Sequence, residues 1–252
     1  MQTIILKNIF ILISIFTIFS CGNSNTEPNR SLSSLIQPEF TYNQDFFDCS
    51  INTNYSLINL ESFFSSFIGD YNKGEVNGET LNASVLFPDN IDTIKNFIIS
   101  VRSNSNPQAV SNFVEALKSK KFSNIASCTF SIYQMKGFDI VAKNNQPILD
   151  YVFVEILRCK YNEGYNFGTF KISIERFLEQ INLLGISYSL SYIDNVNSDG
   201  NFIWINSFFG DNFKKNLSDD WIGLKDSIEI QNEFNSNSSC IDSKSYKSYK
   251  LI

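Results

Sequence analysis

The chain has 252 residues, 43% of them hydrophobic and 15% aromatic with 24 Phe, which is ample for packed cores and too much for a disordered body. A formal charge of −6 excludes the clustered cationic surface that nucleic-acid binding requires, so no nucleic-acid partner is expected, and Lys118, Lys120 and Lys121 read as a solvated helix end. The complete absence of histidine removes Ser-His-Asp and Cys-His catalysis, His-ligated haem and His-containing zinc sites together.

Lys7 and Asn8 precede the largely apolar run Ile9 to Phe19, which has the proportions of a signal-peptide core. It is short against the roughly 20 residues a spanning helix needs. The run ends in Ile18-Phe19-Ser20-Cys21-Gly22, which resembles the lipobox of bacterial lipoproteins, although Phe19 is bulkier than the usual small residue there. That resemblance implies removal of residues 1–20, diacylglycerol modification of Cys21, and attachment to a membrane of the bacterial cell envelope through lipid. A plain secretory signal or an uncleaved anchor helix is the competing reading. The polar stretch after Cys21, rich in Asn and Ser, reads as a lipidated tether over 21–37. Lipidating Cys21 also leaves an even set of four cysteines.

A first repeat is expected over 38–146. Phe46-Phe47-Asp48-Cys49 reads as a strand, and Leu57, Leu60, Phe63, Phe64, Phe67 and Ile68 form one helical face ending at Gly69. Leu81 to Phe87 alternates as a half-buried strand, Phe97 to Val101 is apolar on both faces, and Asn106-Pro107 caps a helix through Leu117. Cys128 to Tyr133 is the expected last strand.

A second repeat over 147–252 follows the same order. Tyr151 to Arg158 reads as a strand, Ile174 to Leu184 as a helix, Tyr188 to Tyr192 and Phe202 to Ile205 as strands. Phe213, Leu217, Trp221 and Leu224 are expected to form the second helix, and Cys240 to Lys250 a polar edge strand. The order βαββαβ occurs twice, and so do Cys-x-x-Asn (Cys49 with Asn52, Cys159 with Asn162) and Phe-x5-Cys (Phe122 with Cys128, Phe234 with Cys240). The chain therefore reads as one α+β unit duplicated.

A βαββαβ unit is ferredoxin-like, with its first and last strands adjacent and antiparallel. The expected bridges are Cys49–Cys128 and Cys159–Cys240, each closing about 80 residues and contributing roughly 4 kcal/mol in the chain-entropy model. Four cysteines allow three pairings, and the duplication selects this one; four buried free thiols is the alternative, and no CxxC pair favours zinc.

Two such units in tandem resemble the dimeric α/β-barrel superfamily, which packs two ferredoxin-like sheets into a barrel as a dimer or, as expected here, an intrachain pseudo-dimer. Cys159-Lys160-Tyr161-Asn162-Glu163-Gly164 is also similar to a segment of bacterial proteins without assigned function. The superfamily includes cofactor-free monooxygenases and haem-degrading enzymes whose iron is held by His. The resemblance thus implies no cofactor and no metal here, and leaves a small hydrophobic ligand in a barrel cavity as the possible partner. Candidate ligand contacts are Asn52, Asn162, Tyr188 and Trp204; the competing structural roles are turn formation for the two Asn and core packing for Trp204. Glu163, Asp219-Asp220 and the pair Asp45 and Asp48 lack the density of a catalytic or calcium site. No residue is assigned a catalytic role. A non-catalytic binding or scaffolding module is the leading functional reading, with a cofactor-independent monooxygenase- or isomerase-like enzyme as the alternative.

Non-reducing peptide mapping of protein purified from membranes is expected to return Cys49–Cys128, Cys159–Cys240 and an acylated N-terminal Cys21. Free thiols with an intact Met1 would place the chain in a reducing compartment instead.

Overall fold

Alternation of side chains along antiparallel strands sets this architecture. The computed structural model describes residues 38–71, 81–89, 94–104, 106–141, 150–184, 187–194, 200–210 and 220–252. The expected signal peptide and tether lie outside the described residues. The first half contains β1 (Tyr42–Ile51), α1 (Leu57–Tyr71), β2 (Leu81–Pro88), β3 (Asn96–Ser103) and α2 (Pro107–Ser119). A 3₁₀ turn at Phe122–Asn124 leads to β4 (Ala126–Cys128) and β5 (Met135–Val141). The second half contains β6 (Val152–Tyr161), α3 (Phe167–Leu184), β7 (Tyr188–Asp194), β8 (Asn201–Phe208), α4 (Ser227–Asn237) and β9 (Ser238–Lys250).

Within the halves the strands lie in the equivalent orders β4-β1-β3-β2 and β9-β6-β8-β7. The last strand of each half then reaches the second strand of the other: β9 pairs with β2 over Tyr246–Lys250, and β5 pairs with β7. With β5 also on β1 through Tyr42–Gln44, the ring β1-β3-β2-β9-β6-β8-β7-β5 closes, antiparallel at every step. Closure satisfies the backbone groups an open sheet would leave at its edges. The fold is α+β: two tandem ferredoxin-like repeats packed as a pseudo-dimer in one chain.

Outward side chains meet the helices. Phe47, Phe97, Ile99 and Val101 pack against Leu60, Phe64 and Phe67 of α1 and Phe113 of α2. In the second half Phe202, Trp204 and Tyr192 pack against Phe167, Phe170 and Ile174 of α3, with Phe234 of α4. Inward side chains form a third cluster with no helical member, including Tyr42, Leu86, Met135, Val154, Ile205 and Tyr246. Asn106 caps α2, its side chain accepting from the N–H of Gln108.

Both disulfides are present, Cys49–Cys128 and Cys159–Cys240, and each joins directly opposed residues of neighbouring strands.

Three expectations are corrected. The strand expected over Cys128 to Tyr133 stops at Cys128, and the chain pairs again only from Met135; between them Gln134 takes a positive φ of 52°. Of the helix expected over Phe213 to Leu224, 213–219 lies outside the described residues and 220–222 is helical; a further helix that was not expected, Ser227–Asn237, follows it and includes the polar run after Phe234. Its inward stripe is Ser227, Ile230, Phe234 and Asn237, at helical spacing but half polar, so hydrophobicity alone conceals it. Finally, β9 is not an edge strand: it is paired on both sides, to β6 and to β2. Its inward polar residues Asp242, Lys244, Ser248 and Lys250 line the barrel mouths.

Replacing Cys49 and Cys128 together by alanine is expected to remove about 4 kcal/mol and to lower the thermal midpoint by roughly 10 °C. Calorimetry under non-reducing conditions measures this; an unchanged midpoint would mean the staple adds nothing to the strand pairing.

Candidate functional site

The interior of the ring is stratified. Its middle is plugged by Phe46, Leu86, Val154, Ile156, Ile205 and Tyr246, and a cleft opens at each mouth, with Phe46 lining both. Because β1 and β6 run in the same direction around the ring, equivalent residues of the two halves meet at the same mouth.

One cleft, of about 540 Å³, opens where β1 and β6 end. Its floor is Phe46, Ile98, Met135, Ile156, Ile203 and Tyr246, and its rim carries Asp48, Arg158, Asp242 and Lys244. These rim residues occupy alternate, inward positions of β1, β6 and β9, which is why both charge signs collect around an apolar floor. Burial first, and then the charge of Asp48, raises the pKa of the Tyr246 phenol; Arg158 opposes this. At neutral pH the phenol therefore stays protonated and can donate a hydrogen bond.

Tyr133 forms a lip of this cleft. Asp45, fully buried on the outward side of β1, accepts the backbone N–H groups of Tyr133 at 2.6 Å and Gln134 at 2.9 Å and so fixes that lip. Burial holds its carboxyl above the usual carboxylate range, and those two N–H groups only partly offset it.

The second cleft, of about 410 Å³, lies where β1 and β6 begin. Here Arg102 is ion-paired with Asp139 and lies 3.7 Å above the ring centre of Tyr42. Asp139 accepts from the Tyr42 hydroxyl at 2.9 Å and from the Ser191 hydroxyl at 2.6 Å. Gln44, 2% exposed, donates to Ser100 Oγ at 2.9 Å and to the Val101 carbonyl at 3.0 Å, and its own carbonyl accepts from Arg102 Nε at 3.4 Å. The Tyr42 ring lies against Gly137, where any Cβ would collide with it. Burial drives the pKa of the Tyr42 phenol far up, and Arg102 opposes that only in part.

None of the four residues expected to contact a ligand lines either cleft. The Asn52 side-chain amide donates to the carbonyls of Ser123 and Asn124, both at 2.9 Å. The Asn162 amide does the same to Asn235 and Ser236, at 3.0 and 2.9 Å. These are equivalent clamps that tie the turn after the first strand of each half to the residues before its second cysteine, and they account for the Asn of one repeated motif and the polar run of the other. Tyr188 and Trp204 do meet, both donating to Asn206 Oδ1, but on the outward face beneath the helices. Arg102, Asp139, Gln44 and Tyr42 were missed. The available signal was polar residues at alternate positions of otherwise apolar strands, as in Ile99-Ser100-Val101-Arg102.

No protein-family model and no curated protein matches this sequence. Solved structures do match its fold. A point variant of chlorite dismutase from Candidatus Nitrospira defluvii aligns with a TM-score of 0.56 at 8% identity, covering 87% of this chain and 95% of that one. A candidate monooxygenase from Lactobacillus acidophilus gives 0.52 at 8% identity over 83% and 95%, and another from Fusobacterium nucleatum gives 0.51 at 14% over 84% and 94%. The class is thereby defined: a dimeric α/β-barrel fold carried by a single chain.

The raised pKa of Asp45 fixes the sign of its pH dependence. Folding disfavours its charged form, so the penalty is absent below the unfolded carboxylate range and grows as pH rises through the folded value. Asp45→Asn keeps the acceptor for both N–H groups and removes the charge. It is expected to raise the thermal midpoint at pH 7 and to change it little near about pH 3. A lower midpoint at pH 7 would contradict this account.

Proposed function

We propose that this chain is a lipid-anchored protein of the bacterial cell envelope, held by Cys21, whose barrel is a non-catalytic binding module. Its ligand is a small, mainly apolar molecule with a polar end, seated in the cleft at the Arg158 mouth. One observation carries the reading: an aliphatic and aromatic floor inside the barrel opens onto a rim bearing both charge signs. Such a pocket buries an apolar body while fixing the orientation of its polar end. The one phenol in the floor, Tyr246, is held in its protonated form, which suits a hydrogen-bond donor better than a base. Among the described residues no helix is long and apolar enough to cross a membrane.

A second reading, a cofactor-independent monooxygenase- or isomerase-like enzyme using the same cleft, is supported by the fold likeness to the two candidate monooxygenases. The two readings diverge experimentally. Titration with lauric acid and with 8-anilinonaphthalene-1-sulfonate is expected to show saturable binding that Ile203→Trp, filling the floor, weakens by about tenfold or more. Recovery of the bound compound with altered mass after incubation in air would move the conclusion to the enzyme. No saturable binding would remove both readings. Independently, Cys21→Ser is expected to shift the protein from the membrane to the soluble fraction.

A further inference from the structure

The geometry points to a second, chemically different binding site at the Arg102 mouth, selective for a neutral polyhydroxylated molecule of mono- or disaccharide size. The argument begins with charge. The residues converging here bear two cationic groups, Arg102 and Lys250, and two carboxylates, Asp139 and Asp150. Arg102 and Asp139 neutralise each other directly, and the four side chains together carry no net charge.

What it offers instead is hydroxyl groups. Ser84, Ser100, Ser191, Ser207 and Ser248 come from five different strands of the ring and all line this cleft. Ser191 donates to Asp139 and Ser100 accepts from Gln44. The other three hydroxyls make no hydrogen bond among the described residues and remain free to serve a ligand that both donates and accepts. A vicinal diol is such a ligand: it accepts from a guanidinium and donates to a carboxylate or a serine oxygen. The aromatic ring of Phe46 also lines the cleft and can take the C–H face of a pyranose. A volume of about 410 Å³ is within the range of small-molecule sites.

The duplicated scaffold supplies an internal control. The cross-strand pair Gln44 and Arg102 in the first half corresponds to Val154 and Ser207 in the second, each pair placed alike relative to its Cys–Phe pair, Cys49 with Phe97 and Cys159 with Phe202. The second half holds the same strands together without a charged network, so the fold does not require one at this position. The network has arisen on one side only, facing an open cleft whose opposite wall is serine.

The experiment is saturation-transfer NMR on the folded protein with glucose, galactose, maltose and lactose, set against glucuronic acid and glucosamine. Neutral sugars are expected to bind in preference to both charged analogues. Ser84→Val and Ser207→Val, which remove hydroxyls without a partner among the described residues, are expected to weaken binding about tenfold each, with an unchanged thermal midpoint. Neither variant is expected to alter 8-anilinonaphthalene-1-sulfonate binding at the opposite mouth, so the two sites can fail separately. Absence of any neutral-sugar signal, preference for a charged analogue, or wild-type affinity in both variants would overturn the assignment.

Discussion

Each half of this chain makes a four-stranded sheet whose inward face carries residues such as Leu86 and Ile98, or Val154 and Ile205. Left open, that face and its strand edges would meet water, exposing apolar surface and unpaired backbone groups. Pairing of each half's last strand across to the other half resolves both problems together. β9, paired with β6 of its own half, also pairs with β2, and β5, paired with β1, also pairs with β7, so backbone pairing and burial of the apolar girdle are completed by the same contacts. The clefts exist because of this closure: each is simply the part of the interior, above or below the plug, that the girdle does not fill.

The duplication was legible because it is written in side chains with geometric jobs. A cysteine on the first strand must oppose a cysteine on the last, and an asparagine just beyond the first must reach carbonyls just before the second; both requirements recur at the same spacing in each half. The break between β4 and β5 was not legible. It depends on Asp45, remote in sequence, capturing the N–H groups of Tyr133 and Gln134 and so pulling that segment out of the ladder. α4 was hidden for a different reason, since half of its buried stripe is Ser227 and Asn237. Asn237 reaches the carbonyl of Glu233 and Ser173 of α3, contacts that no hydrophobic periodicity records.

The site was legible only as a kind of place. That a barrel interior would be the candidate followed from the fold, but the residues singled out in the sequence were conspicuous ones, Trp204 and the paired Asn. A large indole on a central strand serves packing against Phe170 and Phe234, and its N–H is satisfied by Asn206. The residues that give the mouths their chemistry are ordinary serines, one arginine and scattered rim charges. Their meaning lies in which face of which strand they occupy, and register is a property of pairing between distant segments.

The two ends of the barrel are secured by different physics. Both disulfides lie toward the Arg158 end, whereas the Arg102 end is fastened by an ion pair, a stacked cation and hydrogen bonds. Covalent staples are indifferent to ionic strength, and half-exposed ion pairs are indifferent to thiols. Salt would therefore loosen one rim and reductant the other, so a single closed sheet can fray from either end according to the medium around it.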